Sequence, residues 1–165
     1  MLSFIDRNAV KHAANFAPLL EKEMWAYWGY QISNIAIFVY ICFLKVIADF
    51  SWKFYIGMAL YILGLALCTI SVINFAKPSG EGLNTKGIYN ISRNPMYVAY
   101  FIYFMACVLL TRSILLCVLV LIFQFASHWI ILSEERWCID RFGDTYKQYM
   151  KKVRRYLLRE NTKET

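Results

Sequence analysis

A chain of 165 residues that is 59% hydrophobic and 18% aromatic, with a mean hydropathy of +0.43, carries more apolar surface than a soluble domain of this length can hide. Its formal charge is +7, yet only 18% of residues are charged, and they are clustered. Basic residues massed beside apolar runs imply a membrane surface, where anionic headgroups attract each by about 1 kcal/mol, and argue against nucleic acid as a partner.

In chain order, residues 2–22 place Ile5, Ala9, Ala13, Phe16 and Leu20 at helical spacing, with Asp6, Arg7, Lys11 and Glu21 largely elsewhere. This predicts an interfacial helix over 1–23, and no cleavable signal peptide is expected. Trp25, Tyr27, Trp28 and Tyr30 then form an aromatic belt.

Four uncharged runs follow: 24–44 (21 residues), 54–76 (23 residues), 94–111 (18 residues) and 113–133 (21 residues). A hydrocarbon core about 30 Å thick needs about 20 helical residues, so the runs predict four transmembrane helices. The third is the shortest: Asn94 and Pro95 read as a helix start, leaving a short apolar body that is shallow or tilted. It pairs with the fourth through a tight turn at Thr111, Arg112 and Ser113, and a re-entrant hairpin is the alternative. The expected fold is an all-α integral membrane protein, one membrane domain over 1–165, with the four spans in 24–133 and a tail over 134–165.

Lys45, Lys53 and Arg112 fall on one side of these spans, and the other 15 Lys and Arg on the opposite side. The positive-inside rule therefore predicts a multi-pass protein with both termini cytoplasmic. The tail places Tyr146, Tyr149, Val153 and Tyr156 in one stripe, with Gly143 as an interruption and Asp144 as a cap. It reads as a basic amphipathic helix on the inner leaflet, or as one that also closes over a site. The five cysteines show no C-x-x-C spacing and only two histidines accompany them, so no metal site is expected.

The loop between the second and third runs is glycine-rich, then polar, then enters a helix at Asn94. Glycines let backbone approach a ligand closely, and a helix start presents free N–H groups able to accept an anion. The same features also suit an ordinary loop and cap.

Gly87-Ile88-Tyr89, followed by Ser92-Arg93-Asn94-Pro95-Met96-Tyr97, resembles the G-x-Y-x-x-x-R-H-P-x-Y pattern of isoprenylcysteine carboxyl methyltransferases and phospholipid methyltransferases. Glu134-Glu135, Phe142-Gly143, Tyr146 and Tyr149 are similar to the second half of that signature. The resemblance covers residues 74–155, about half the chain, and implies a cytoplasmic site for S-adenosylmethionine. By the same resemblance Asn74, Glu81, Gly82, Leu83, Asn84, Tyr89, Asn94, Pro95, Met96, Tyr97 and Glu134 are cofactor-binding, and Glu134, Glu135 and Tyr97 catalytic. A carboxylate at the membrane edge suits the cofactor's amino group, and tyrosine faces suit its sulfonium.

The chain departs from the pattern at Asn94, where histidine is usual, and at Ala99, often glycine. Ile130 stands where the carboxyl methyltransferases carry an arginine that grips the substrate carboxylate, and His128 is the nearest substitute. The expected function is methylation of a lipidic acceptor, isoprenylcysteine carboxylate in type, with a phospholipid amine as the alternative. The partners are thus a lipidic or lipidated substrate and membrane lipid, with the oligomeric state left open. A nicotinamide-dependent lipid reductase and a non-catalytic membrane subunit are the competing classes.

Overall fold

A computed structural model describes residues 21–76 and 83–156. The expected interfacial helix therefore lies outside the described residues, apart from a 3-10 turn at Glu21–Glu23. Among the described residues the regular structure is helical: α1 (Met24–Ile41), α2 (Trp52–Phe75), α3 (Pro95–Thr111) and α4 (Ile114–Lys152). Two of these, α2 and α4, are long and apolar enough to cross a membrane, and α3 is a shorter apolar helix of 17 residues.

The four helices do not pack in chain order. α2 lies along α3, α3 meets α4, and α1 crosses past α2 to pack on α4. Small residues allow the closest of these approaches. Ser71, Gly64 and Gly57 are the buried residues of α2, and a Cβ on Gly64 would lie 2.8 Å from the Tyr103 Cα. Ala99, Phe104, Ala106, Cys107 and Leu110 bury the facing side of α3. The central core combines Ile37, Phe104, Cys107, Leu116, Val120 and Phe123, with Phe104 and Phe123 edge-to-face at 5.5 Å. Much of the remaining apolar surface is exposed, including Ile32, Ile35, Phe38, Ile62 and Phe125. Such a surface suits lipid and is a liability in water.

The α3–α4 turn matches its sequence expectation. Arg112 takes the left-handed conformation (φ 52°) that closes α3, and Ser113 caps α4 by accepting from the Leu116 N–H at 3.2 Å. The Arg112 guanidinium bonds Asp49 and Ser51, and the Ile47 N–H donates to the Leu110 carbonyl. The connection between α1 and α2 is thereby docked against this turn.

Two expectations change. α1 ends at Ile41, short of the uncharged run's limit at residue 44, and residues 44–50 are irregular. The fourth run also does not stop at the acids: α4 continues from Ile114 past Glu134 and Glu135 to Lys152. Nothing between Ser113 and Phe142 breaks a helix, so the charged pair does not end it. The break comes at Gly143, whose φ of 53° and ψ of −127° bend the rod and restart it at Asp144.

Candidate functional site

The bend at Gly143 returns the last turns of α4 toward the loop after α2. Tyr146, Tyr149 and Val153 are buried, and Leu83, Cys138, Ile139, Phe142 and Met150 pack around them. The Tyr149 hydroxyl donates to the Tyr89 carbonyl, tying tail to loop. Tyr146, Tyr149 and Val153 thus bury themselves against their own chain. Beyond it, residues 153–156 run as a strap along 92–94. The Arg93 N–H donates to the Arg154 carbonyl at 3.0 Å, while Ser92 Oγ and Asn94 Nδ2 each donate to the Arg155 carbonyl at 3.2 Å.

Asn94 therefore does other work than expected. It occupies the N-cap position of α3 with Pro95 next, but its side chain makes no capping bond. Its amide holds the strap, and its own backbone N–H donates to Ser92 Oγ at 3.1 Å. Gly87 opens a 3-10 turn over Gly87–Asn90 with φ 62°, and a Cβ there would fall 2.3 Å from Asn74 Oδ1. Glycine lets the loop fold this way and press against α2.

At the centre lies a pair of carboxylates with opposite surroundings. The Tyr97 hydroxyl donates to Glu134 Oε1 at 2.9 Å, joining the first turn of α3 to α4 just beyond the uncharged run. Burial pushes the Glu134 carboxyl up to about 7, the Tyr97 bond opposes the shift, and the neighbouring Glu135 charge adds to it. Glu135 is buried, 4% exposed, and faces two guanidiniums. Arg93 Nη2 reaches its Oε1 at 3.2 Å, while Arg155 makes a two-pronged contact through Nε (3.1 Å) and Nη2 (2.8 Å). That fork draws the strap onto α4. The Arg93 side chain is 8% exposed, and its Nε and Nη1 are buried with no hydrogen-bond partner among the described residues.

Burial also raises the Tyr89, Tyr146 and Tyr149 hydroxyls above their ordinary value, so these rings stay neutral. Tyr30, from α1, sets its ring edge-on to Tyr97 at 6.5 Å. His128 Nδ1 meets the Tyr156 hydroxyl at 2.6 Å and so fastens the strap's end. Ile130 is 1% exposed, a packed apolar position.

Of the residues singled out in the sequence, Leu83, Tyr89, Asn94, Pro95, Tyr97, Glu134 and Glu135 share this assembly of loop, helix ends and tail. Met96 stands half-buried beside them in the first turn of α3. Asn74 and Asn84 are engaged at the α2 end: Asn74 Nδ2 donates to the Ile70 carbonyl at 2.8 Å and Asn84 Nδ2 to the Phe75 carbonyl at 3.2 Å. Glu81 and Gly82 lie outside the described residues. Arg155 was not expected at the site, and Ser92 and Arg93 entered the sequence reading as part of the signature without a site role. The available signal was Glu135 itself, since a carboxylate sunk at a membrane edge requires a cation.

Apolar helices carrying a buried cluster of acids, guanidiniums and tyrosines beyond the end of one span define a membrane-type helical protein with a polar site at its edge. The family model described as phospholipid methyltransferase matches residues 52–145, more than half the chain. The chain belongs to the phospholipid methyltransferase family. It is also similar to a protein-S-isoprenylcysteine O-methyltransferase of Schizosaccharomyces pombe, 37% identical over 73 residues. That match takes in 43% of this chain and only 30% of the relative's length. No solved structure matches.

Proposed function

We propose that this chain is a membrane-embedded methyltransferase that takes its methyl group from S-adenosylmethionine and passes it to a lipidic acceptor. The observation that carries the reading is the Tyr97–Glu134 hydrogen bond of 2.9 Å, which joins the two halves of the sequence signature in one cluster. In this reading the chain crosses the bilayer four times as one domain, with both termini and the site on the cytoplasmic side. The short α3 runs beside the long α2, and the count of 15 basic residues against 3 sets the orientation.

The donor set suits such a cofactor. A methyl donor of this kind carries an ammonium, a sulfonium and hydroxyls, and it supplies an activated methyl group when bound. Glu134, once ionised, pairs with a cation or accepts from hydroxyls, and the Tyr97 hydroxyl holds that carboxylate in one orientation. By the family resemblance, Asn74, Glu81, Gly82, Leu83, Asn84, Tyr89, Asn94, Pro95 and Met96 would hold the cofactor. Methyl transfer demands alignment of donor and acceptor and exclusion of water, which a buried cluster closed by the tail supplies.

The acceptor is taken to be a carboxylate of the isoprenylcysteine type, the substrate class in the name of the 37%-identical relative. A phospholipid amine is the second reading. It is favoured by the family model's description and by apolar Ile130, which offers an acceptor carboxylate no charge.

Calorimetric titration of S-adenosylmethionine into detergent-purified wild type and Glu134→Ala tests the reading. Saturable binding by wild type, weakened at least about 10-fold in the variant as suits loss of a charge-assisted bond, is the expected result. Absence of saturable binding by wild type ends it.

A further inference from the structure

Arg93 holds two hydrogen-bond donors that nothing among the described residues uses. Its Nε and Nη1 are buried without partners, its side chain is 8% exposed, and Nη2 alone reaches Glu135. An unmade hydrogen bond on a buried charged group is among the costlier defects a fold tolerates. Among the described residues the charges do not close either. Glu135 faces two guanidiniums, Arg93 and Arg155, so this triad carries one positive charge in excess. The acid beside it, Glu134, is directed to Tyr97 instead. Arg93 is nevertheless held firmly, by its backbone bond to Arg154 and its side-chain bond to Glu135. A guanidinium fixed in place, with spare donors and uncompensated charge, is a preorganised receptor for an oxyanion.

We infer that Arg93, braced by Glu135 and Arg155, forms an oxyanion subsite that grips a carboxylate or phosphate through its unused Nε and Nη1 donors. The subsite deepens the proposed function, on which it rests for the choice of ligand. Glu134 and Arg93 then present opposite charges from one cluster, as a zwitterionic ligand requires. Two ligands of the proposed reaction bring such a group: the amino-acid carboxylate of the methyl donor, and the phosphate of a phospholipid headgroup.

The test is calorimetry on the full chain in detergent with three probes: S-adenosylmethionine, its decarboxylated analogue, and glycerophosphoethanolamine. Wild type is compared with Arg93→Met. If the donor's carboxylate is the ligand, wild type binds the analogue at least about 10-fold more weakly than S-adenosylmethionine, and Arg93→Met erases that difference by weakening S-adenosylmethionine alone. If the headgroup phosphate is the ligand, both donors bind alike, and glycerophosphoethanolamine binds wild type at least about 10-fold more tightly than the variant. Should Arg93→Met not fold, Arg93→Lys keeps the charge beside Glu135 but lacks the guanidinium donors, and carries the same comparison. Binding of every probe regardless of Arg93 overturns the subsite. Headgroup binding that depends on Arg93, with no binding of S-adenosylmethionine by wild type, ends the proposed donor and leaves the subsite standing. Failure of all three probes on wild type ends both.

Discussion

Glu134 sits one residue past the uncharged run, where burial raises its carboxyl from 4.5 to about 7. The native state then holds a proton that the unfolded chain has already released, so this group's contribution to stability falls as pH rises from about 4.5 to about 7. Thermal unfolding in detergent across that window is expected to show the decline in wild type and a flatter profile in Glu134→Gln. Donor binding has the opposite slope if the ionised carboxylate receives a cation. Affinity for S-adenosylmethionine should rise by up to about 10-fold per pH unit below the midpoint and level off above it. Because the Tyr97 hydroxyl lowers the Glu134 value, Tyr97→Phe is expected to move that midpoint upward, which a pH series of titrations checks directly. A midpoint unmoved by Tyr97→Phe would separate the hydrogen bond from the proton affinity. Gly87 is the other position where a single atom matters. Gly87→Ala must adopt φ 62° and displace the Asn74 amide, costing about 1–2 kcal/mol from the backbone alone, readable as a lower unfolding temperature.

Between elements, the closest contact is α2 against α3. A Cβ on Gly64 would lie 2.8 Å from Tyr103 backbone, whereas one on Gly57 would meet the Leu110 side chain at 2.9 Å and the Leu109 Cβ at 3.5 Å. A leucine side chain rotates aside and a helix backbone does not. Gly64→Ala is therefore expected to destabilise by about 1–3 kcal/mol and Gly57→Ala by less, measured by thermal or denaturant unfolding in the same detergent. The tail depends on a different device. Glu135 is buried between Arg93 of the loop and Arg155 of the strap, and Glu135→Gln leaves both guanidiniums without a counter-ion. Breaking such a pair from one side costs about 3–5 kcal/mol. Limited proteolysis of Glu135→Gln should cleave after the arginines of the strap under conditions where wild type stays intact.

For the whole molecule, the polar cluster lies at one end of the helices, and the Asp49–Arg112 contact joins the connections at the other. The proposed topology, four crossings with the cluster on the cytoplasmic side, predicts that a glycosylation acceptor placed at 48–51 is modified in microsomes, whereas one placed after residue 156 is not. Modification of both, or of the tail alone, overturns the orientation. The Asp49–Arg112 pair is exposed and screened by solvent, so its loss is expected to leave this pattern unchanged.

Apolar runs, their lengths and the placement of Lys and Arg were legible without a structure, because helix formation in lipid depends on local composition and backbone satisfaction. The hairpin turn at Arg112 and the break at Gly143 were legible for the same reason, each resting on the conformational preferences of one or two residues. The site's parts, from Tyr89 to Tyr97 and Glu134 with Glu135, stood out as a pattern of residue types. Only the tertiary structure decided what touches what. It directed Glu134 to Tyr97 and Glu135 to two arginines, although the acids are adjacent in the chain. It turned Asn94 from a helix cap into a tether for the tail, and folded a basic amphipathic helix inward onto a loop some 60 residues away. Those outcomes depend on contacts distant in sequence, set by how the helices pack and where Gly143 aims the chain, and no local propensity encodes them.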